Sequence, residues 1–136
     1  MSIKIRYLVE SDYNVLCGWW KAFRFPAPPR DFLPENGTGG LMVEIDGVPV
    51  VAGFIYFTNS AVAWSEFIIS NFEYKDKEGR KEAIKILIIE LTELARRKGS
   101  KYIYTVVKNQ NLKKSYSEVG FSNGSIKVDE MVMVLT

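Results

Sequence analysis

Glu66 lies in the middle of an apolar stretch, residues 64–69, where an acid is out of place. Partial burial would lift its pKa toward the range in which a carboxylate exchanges protons near neutrality, so it is a candidate general base. The simpler reading is an exposed or salt-bridged strand carboxylate. A few residues on, Lys75, Lys77, Arg80 and Lys81 crowd the connection between that strand and a long apolar helix, with Gly79 among them. A strand that empties through a loop into a helix N-terminus aims several backbone N–H groups at one spot, which attracts anions such as phosphates. Without a ligand, the same residues make only a solvated turn. The chain has no histidine. That removes the commonest general base, the commonest metal ligand and every Ser–His or Cys–His nucleophile scheme, and no metal site is expected. Cys17, the lone cysteine, reads as a core residue because nothing is there to activate it.

These residues need a scaffold. A chain of 136 residues supports one sizeable core, and 47% hydrophobic with 25% charged residues is ordinary for a globular protein. A net charge of +2 gives no reason to invoke nucleic acid as the main partner. The basic group Arg96, Arg97, Lys98 and Lys101 is explained by the negative end of a helix dipole. A single cysteine excludes an intramolecular disulfide and favours a reducing, cytoplasmic setting. No signal peptide or membrane span is expected.

Alternating Ile3, Ile5 and Tyr7 predict an opening strand, and Ser11 or Asp12 is placed to cap a helix over 13–23. The prolines of 25–34 predict a stiff loop with one short helical turn. Residues 41–57 carry the strongest hairpin signal, with Asp46-Gly47 at the turn, and 61–70 supply a further antiparallel strand. Gly53, inside its strand, marks a bulge or a close backbone approach. Strict alternation puts Glu66 on the face of Trp64 and Ile68, opposite Phe67 and Ile69. A helix over 82–98, a strand over 102–107, a short helix over 109–118 and a final strand over 130–135 complete the chain.

This order of elements resembles that of the GCN5-related N-acetyltransferase family over nearly the whole chain. Asn109, Tyr116, Gly120 and Phe121 match the family signature Asn-x-x-Ala-x-x-x-Tyr-x-x-x-Gly-Phe, with Leu112 where alanine is usual. The resemblance implies a single α/β (α+β) domain spanning 1–136, with a mixed, mostly antiparallel sheet flanked by helices and splayed between strands 4 and 5. It implies acetyl-CoA or another acyl-CoA as cofactor, and acetyl transfer to a primary amine of a small molecule or peptide by direct attack. It nominates Tyr116 as proton donor to the leaving thiolate and Glu66 as base. Asn109, Ile68 and Ile69 would lie along the pantetheine arm, and Lys75, Lys77, Gly79, Arg80, Lys81 and Ala83 around the pyrophosphate. Trp19, Trp20, Phe23, Phe25 and Phe32 fall where the family builds its acceptor pocket, although most of them are expected to be core.

The sequence departs from the family at one place. The pattern Arg/Gln-x-x-Gly-x-Gly/Ala, which precedes the long helix in the family, fits no window here. Counting back from Gly99 puts Glu78, Lys81 and Ala83 on its three positions, whereas counting forward from the strand puts Lys75, Glu78 and Arg80 there. Backbone approach to a phosphate favours residues without a Cβ, so the departure keeps open a second reading: a catalytically silent binding module of the same fold. Residue by residue, Tyr116 has a plain alternative as a core tyrosine, and Asn109 as a helix cap. The last strand and exposed aromatics leave room for a homodimer.

Overall fold

The computed structural model describes residues 1–136. Its centre is a five-stranded sheet in the order β1-β2-β3-β4-β5, formed by β1 (Ile3–Tyr7), β2 (Gly40–Ile45), β3 (Val48–Phe57), β4 (Val62–Ser70) and β5 (Tyr102–Tyr104). The first four strands pair antiparallel and β4 pairs parallel with β5. Helix α1 (Asp12–Ala22) covers one face, while α2 (Lys77–Arg97) covers the other, with α3 (Gln110–Val119) beside it. The expected α/β architecture is therefore present.

Asp46 and Gly47 both take positive φ, 50° and 79°, which is the geometry a tight two-residue hairpin turn requires. On the α2 face, Leu87, Leu91, Leu94 and Ala95 pack onto Val43, Val51, Ile55 and Ala63. On the α1 face, Leu16, Trp19 and Trp20 pack onto Met42, Ala52 and Phe54, and Trp20 stacks on Phe54 at 6.4 Å. Each fully buried large apolar side chain contributes about 1.5–3 kcal/mol, so these two layers dominate stability.

A bulge in β4 organises the site. Ala52 pairs with Ile69 and Phe54 with Glu66, so Gly53 alone faces both Phe67 and Ile68. Phe67 takes a left-handed φ of 58°. Gly53 meets both expectations at once: a Cβ there would lie 3.0 Å from Ile68 and 3.1 Å from Leu87. The extra residue also reverses the side-chain alternation. Phe67 and Ile69 pack with the α1-side cluster and Ile68 with the α2 side, which corrects the pairing of Glu66 with Ile68.

Other expectations shift. Helix α2 starts at Lys77, five residues before the expected start at 82, because Asp76 caps it by accepting the Gly79 N–H at 3.1 Å. Neither Ser11 nor Asp12 caps α1 with its side chain. Asp12 instead accepts from the Val9 N–H and from the Arg6 guanidinium, at 2.8 Å each. Arg6 also holds Glu44 at 2.9 Å. The proline-rich loop makes two short 3-10 turns, Arg30–Phe32 and Pro34–Gly37, rather than one. Of its neighbouring aromatics only Trp19 and Trp20 are buried, whereas Phe23, Phe25 and Phe32 are 54%, 49% and 45% exposed. Strand β5 ends at Tyr104, where its ladder with β4 stops at Trp64. The expected final strand over 130–135 is not formed. Met131, Met133 and Leu135 are 90%, 81% and 84% exposed, and an alternating segment gains nothing from extension without a ladder or a covered face.

Candidate active site at the divergence of two strands

The parallel ladder between β4 and β5 runs Val62↔Tyr102, Ala63↔Ile103 and Trp64↔Tyr104, and then stops. Beyond it Thr105 Oγ1 donates to the Ser65 carbonyl at 2.7 Å, which still ties the two segments together. From the bulge onward β4 continues alone to Ser70, so the strands diverge into a cleft with one backbone edge of β4 open. This is the expected splay between strands 4 and 5.

Two expected site residues meet at the neck of the cleft from opposite faces. Tyr116, on α3, is buried and its hydroxyl hydrogen-bonds with Ser65 Oγ at 3.0 Å, while its ring packs edge-on against Phe121 at 4.8 Å. Burial pushes the phenol pKa up, hydrogen bonds to Ser65 and Thr105 pull against it, and the charge of Glu66 adds to the rise. Tyr116 is therefore a protonated phenol throughout the neutral range. Its helix exists because Asn109 accepts the Leu112 N–H at 3.0 Å, so Asn109 is indeed a cap.

Glu66 sits on the α1 face. Its Oε2 accepts from Trp64 Nε1 at 3.0 Å. Burial raises its pKa, the Trp64 N–H and the Phe67 amide oppose the rise, the Glu130 charge reinforces it, and the Val106 amide opposes it again. None of the ion pairs of the chain includes Glu66. The salt-bridged reading of this carboxylate is thus replaced by that of a half-buried acid without a cationic partner. Around it lie Trp64, tilted against Tyr104 at 4.3 Å, and Phe67, edge-on to Phe32 at 5.8 Å. Tyr56 donates its hydroxyl to the Phe32 carbonyl at 2.8 Å, and burial with the nearby Glu66 charge pushes its pKa up to about 12.

The far end of β4 leads through residues 71–76 to the α2 N-terminus. Lys77 and Glu78 have no intrahelical acceptor for their backbone N–H groups, as expected for a first turn, and the side chains of Lys77 and Lys81 are exposed beside them. Lys75 Nζ and Arg80 Nη1 are engaged within the loop, donating to the carbonyls of Phe72 and Tyr74 at 3.0 Å each. Gly79 is buried: a Cβ there would meet Asp76 Oδ2 and Tyr74 Oη at 2.8 Å. Its lack of a side chain admits the loop rather than a ligand. Ala83 is fully buried in the α2-side core, Ile68 packs toward that core, and Ile69 packs on the other face. A pyrophosphate would thus find Lys77, Glu78 and Lys81 free, with the Gly79 N–H already taken by Asp76. An extended thioester arm would find the open β4 edge.

Sequence reasoning missed Ser65 and Thr105, which hold Tyr116 and the neck; a small hydroxyl at an inward strand position was the only signal. It also missed Tyr56 and Tyr104 beside Glu66. A concavity of about 600 Å³, lined by Tyr7, Thr38, Ile55, Phe57, Leu94 and Lys98 near the other end of α2, contains neither Glu66 nor Tyr116. The cleft, which holds both Glu66 and Tyr116, is the better site. No helix is long and apolar enough to cross a membrane.

No protein-family model matches the sequence, and no curated protein matches it. Solved structures do match. An acetyltransferase of Trypanosoma brucei aligns over 98% of this chain and 100% of its own, at 20% identity and a TM-score of 0.65. The ribosomal-protein-S18-alanine N-acetyltransferase of Escherichia coli aligns over 91% of this chain and 80% of its own, at 14% identity and a TM-score of 0.72. The N-acetylglutamate synthase of Neisseria gonorrhoeae, solved with coenzyme A and N-acetylglutamate, aligns over 92% of this chain and 29% of its own, at 15% identity and a TM-score of 0.72. With its bulged fourth strand and the cleft that follows, the chain has the fold of the GCN5-related N-acetyltransferases.

Proposed function

We propose that the chain is an N-acetyltransferase that moves an acetyl group from acetyl-CoA to a primary amine by direct attack. The observation that carries the proposal is an open cleft between β4 and β5 with the Tyr116 hydroxyl on one face of its neck and the Glu66 carboxylate on the other. The thioester supplies an activated acetyl group. Lys77, Lys81 and the amides of Lys77 and Glu78 would hold its pyrophosphate, and the β4 edge at Ile68 and Ile69 its pantetheine arm. Lys75, Arg80 and Asn109 act one step back, by shaping the loop and the α3 N-terminus.

Glu66, with its raised pKa, takes the proton that the acceptor ammonium must lose before its nitrogen can attack. As the new C–N bond forms and the C–S bond breaks, the Tyr116 hydroxyl gives its proton to the departing sulfur, and the hydrogen bonds with Ser65 and Thr105, which pull the phenol pKa down, ease that transfer. The acylated nitrogen sheds its second proton, which restores the Tyr116 phenol by way of solvent, and the proton on Glu66 passes to solvent, so that N-acetylated amine, free CoA and one net proton leave. Titration calorimetry with acetyl-CoA tests the reading. Saturable heat is expected; no heat and no thermal shift at millimolar cofactor would refute it.

The Asp76 cap favours a second reading. A carboxylate already seated on the Gly79 N–H puts negative charge where the pyrophosphate would approach, as in a silent binding module of this fold. That reading predicts no acetyl-CoA binding in the wild type and measurable binding in Asp76→Ser, which keeps a cap without the charge.

A further inference from the structure

The acceptor side of the cleft has a chemistry of its own. Glu66 is a half-buried carboxylate, and no lysine or arginine pairs with it. Its one side-chain partner is the indole N–H of Trp64 at 3.0 Å, a neutral donor. Trp64 leans on Tyr104, while Tyr56, which feels the Glu66 charge, is bonded to Phe32, and Phe32 meets Phe67 edge-on. Phe32 and Tyr104 remain about half exposed, 45% and 50%, although aromatic surface gains from being covered. An unpaired carboxylate ringed by aromatic faces and edges favours a cation with an apolar body, through charge and cation–π attraction, and repels any anionic group. The carboxylate of Glu130 adds its charge at Glu66, which makes the site more negative.

We propose that the acceptor is a small alkyl or arylalkyl ammonium ion carrying no anionic group, held by Glu66 among Trp64, Tyr104, Tyr56, Phe67 and Phe32. The proposal rests on the acetyltransferase reading for its chemistry, but binding of the ammonium ion is separable from turnover. Sugar phosphates and amino acids, whose anionic groups would face Glu66 and Glu130, are excluded as good acceptors. A peptide N-terminus is a poorer fit, because its second residue brings polar backbone against the aromatic walls.

The test has two arms. In the first, phenethylamine, cadaverine, glutamate, glucosamine 6-phosphate and an alanyl peptide compete for acetyl-CoA, with products quantified by mass spectrometry. The expected result is a kcat/KM for the two simple amines at least about 30-fold above the others, consistent with charge exclusion and a cation–π gain together. A preference for an anionic amine or for the peptide overturns the proposal. In the second arm, phenethylammonium binding to the wild type is measured by calorimetry without cofactor. Trp64→Leu should weaken it about tenfold. Tyr104→Leu, at a half-exposed position that tolerates replacement, should weaken it about threefold and covers the case in which the first variant does not fold. Ammonium binding that is absent in the wild type, or unaffected by both changes, also overturns the proposal. Binding that follows the expected order without any acetyl-CoA turnover refutes the acetyltransferase reading and leaves the ammonium site standing.

Discussion

Tyr116→Phe separates a proton donor from a packing residue, because the phenol hydroxyl has one structural and one chemical duty. It is bound to Ser65 Oγ at 3.0 Å, and Ser65 and Tyr116 are 1% and 3% exposed. Removing it strands the Ser65 hydroxyl in a dry place and costs about 1–2 kcal/mol, or about 3–6 °C in Tm for a chain of this size. The ring keeps its edge-on contact with Phe121, so no cavity term is added. Ser65→Ala strands the phenol instead but leaves it Thr105, and costs about 1 kcal/mol. The double variant removes both partners, so its loss falls short of the sum by about 1 kcal/mol. Urea unfolding of the four proteins measures this cycle. The chemical duty has another signature: Tyr116→Phe lowers kcat about 100-fold with CoA affinity nearly unchanged, while Ser65→Ala keeps the phenol and lowers kcat less than about tenfold. A Tyr116→Phe protein that loses stability as expected and still turns over at the wild-type rate refutes the assignment and leaves Tyr116 a core tyrosine.

Glu66 must be ionised to accept a proton, and burial raises its pKa, so the acidic limb of kcat/KM against pH should lie above the ordinary carboxylate value of about 4.3 and vanish in Glu66→Gln. Because the fold disfavours the ionised form, stability falls as pH rises through that window, and Glu66→Gln is at least as stable as wild type at pH 7. Burial raises the pKa of Asp12, but the Arg6 hydrogen bond, the Val9 amide and the Arg6 charge outweigh it, and the net shift is downward. Its stabilisation is therefore present above the usual aspartate range and lost as pH falls through the depressed value; Asp12→Ala should cost about 2–3 kcal/mol at pH 7 and much less at pH 2, read by urea unfolding. Gly53→Ala puts a Cβ 3.0 to 3.3 Å from Ile68, Leu87 and Leu91, whose flexible ends yield only in part, and should cost about 1–2 kcal/mol in the same assay.

The hairpin at Asp46-Gly47, the long helix and the signature from Asn109 to Phe121 were legible in the sequence because each rests on local chemistry: turn dihedrals, a helical apolar stripe and a capping asparagine. The bulge was half legible. Gly53 announced a close approach, but nothing in Phe67 itself announces a positive φ, and one extra residue was enough to move Ile68 off the face of Glu66. Gly79 misled for the opposite reason. It reads as a loop glycine, yet it lies in the first turn of α2 beneath Tyr74 and Asp76, so the helix starts earlier and the phosphate-facing surface narrows to Lys77, Glu78 and Lys81. Residues 130–135 carried a strand pattern and met no partner, which alternation alone cannot foresee. The aromatics around Glu66 come from β3, β4, β5 and the proline-rich loop. Only the folded sheet brings Tyr56, Trp64, Tyr104 and Phe32 to one carboxylate.

A crystal structure of the protein soaked with coenzyme A tests the central claim most directly. The pantetheine arm is expected along the open edge of β4, the pyrophosphate at Lys77, Glu78 and Lys81, and the sulfur within about 3.5 Å of the Tyr116 hydroxyl, the reach of a hydrogen bond to sulfur. Coenzyme A bound elsewhere, or a β4–β5 cleft still empty at saturating ligand, would contradict it.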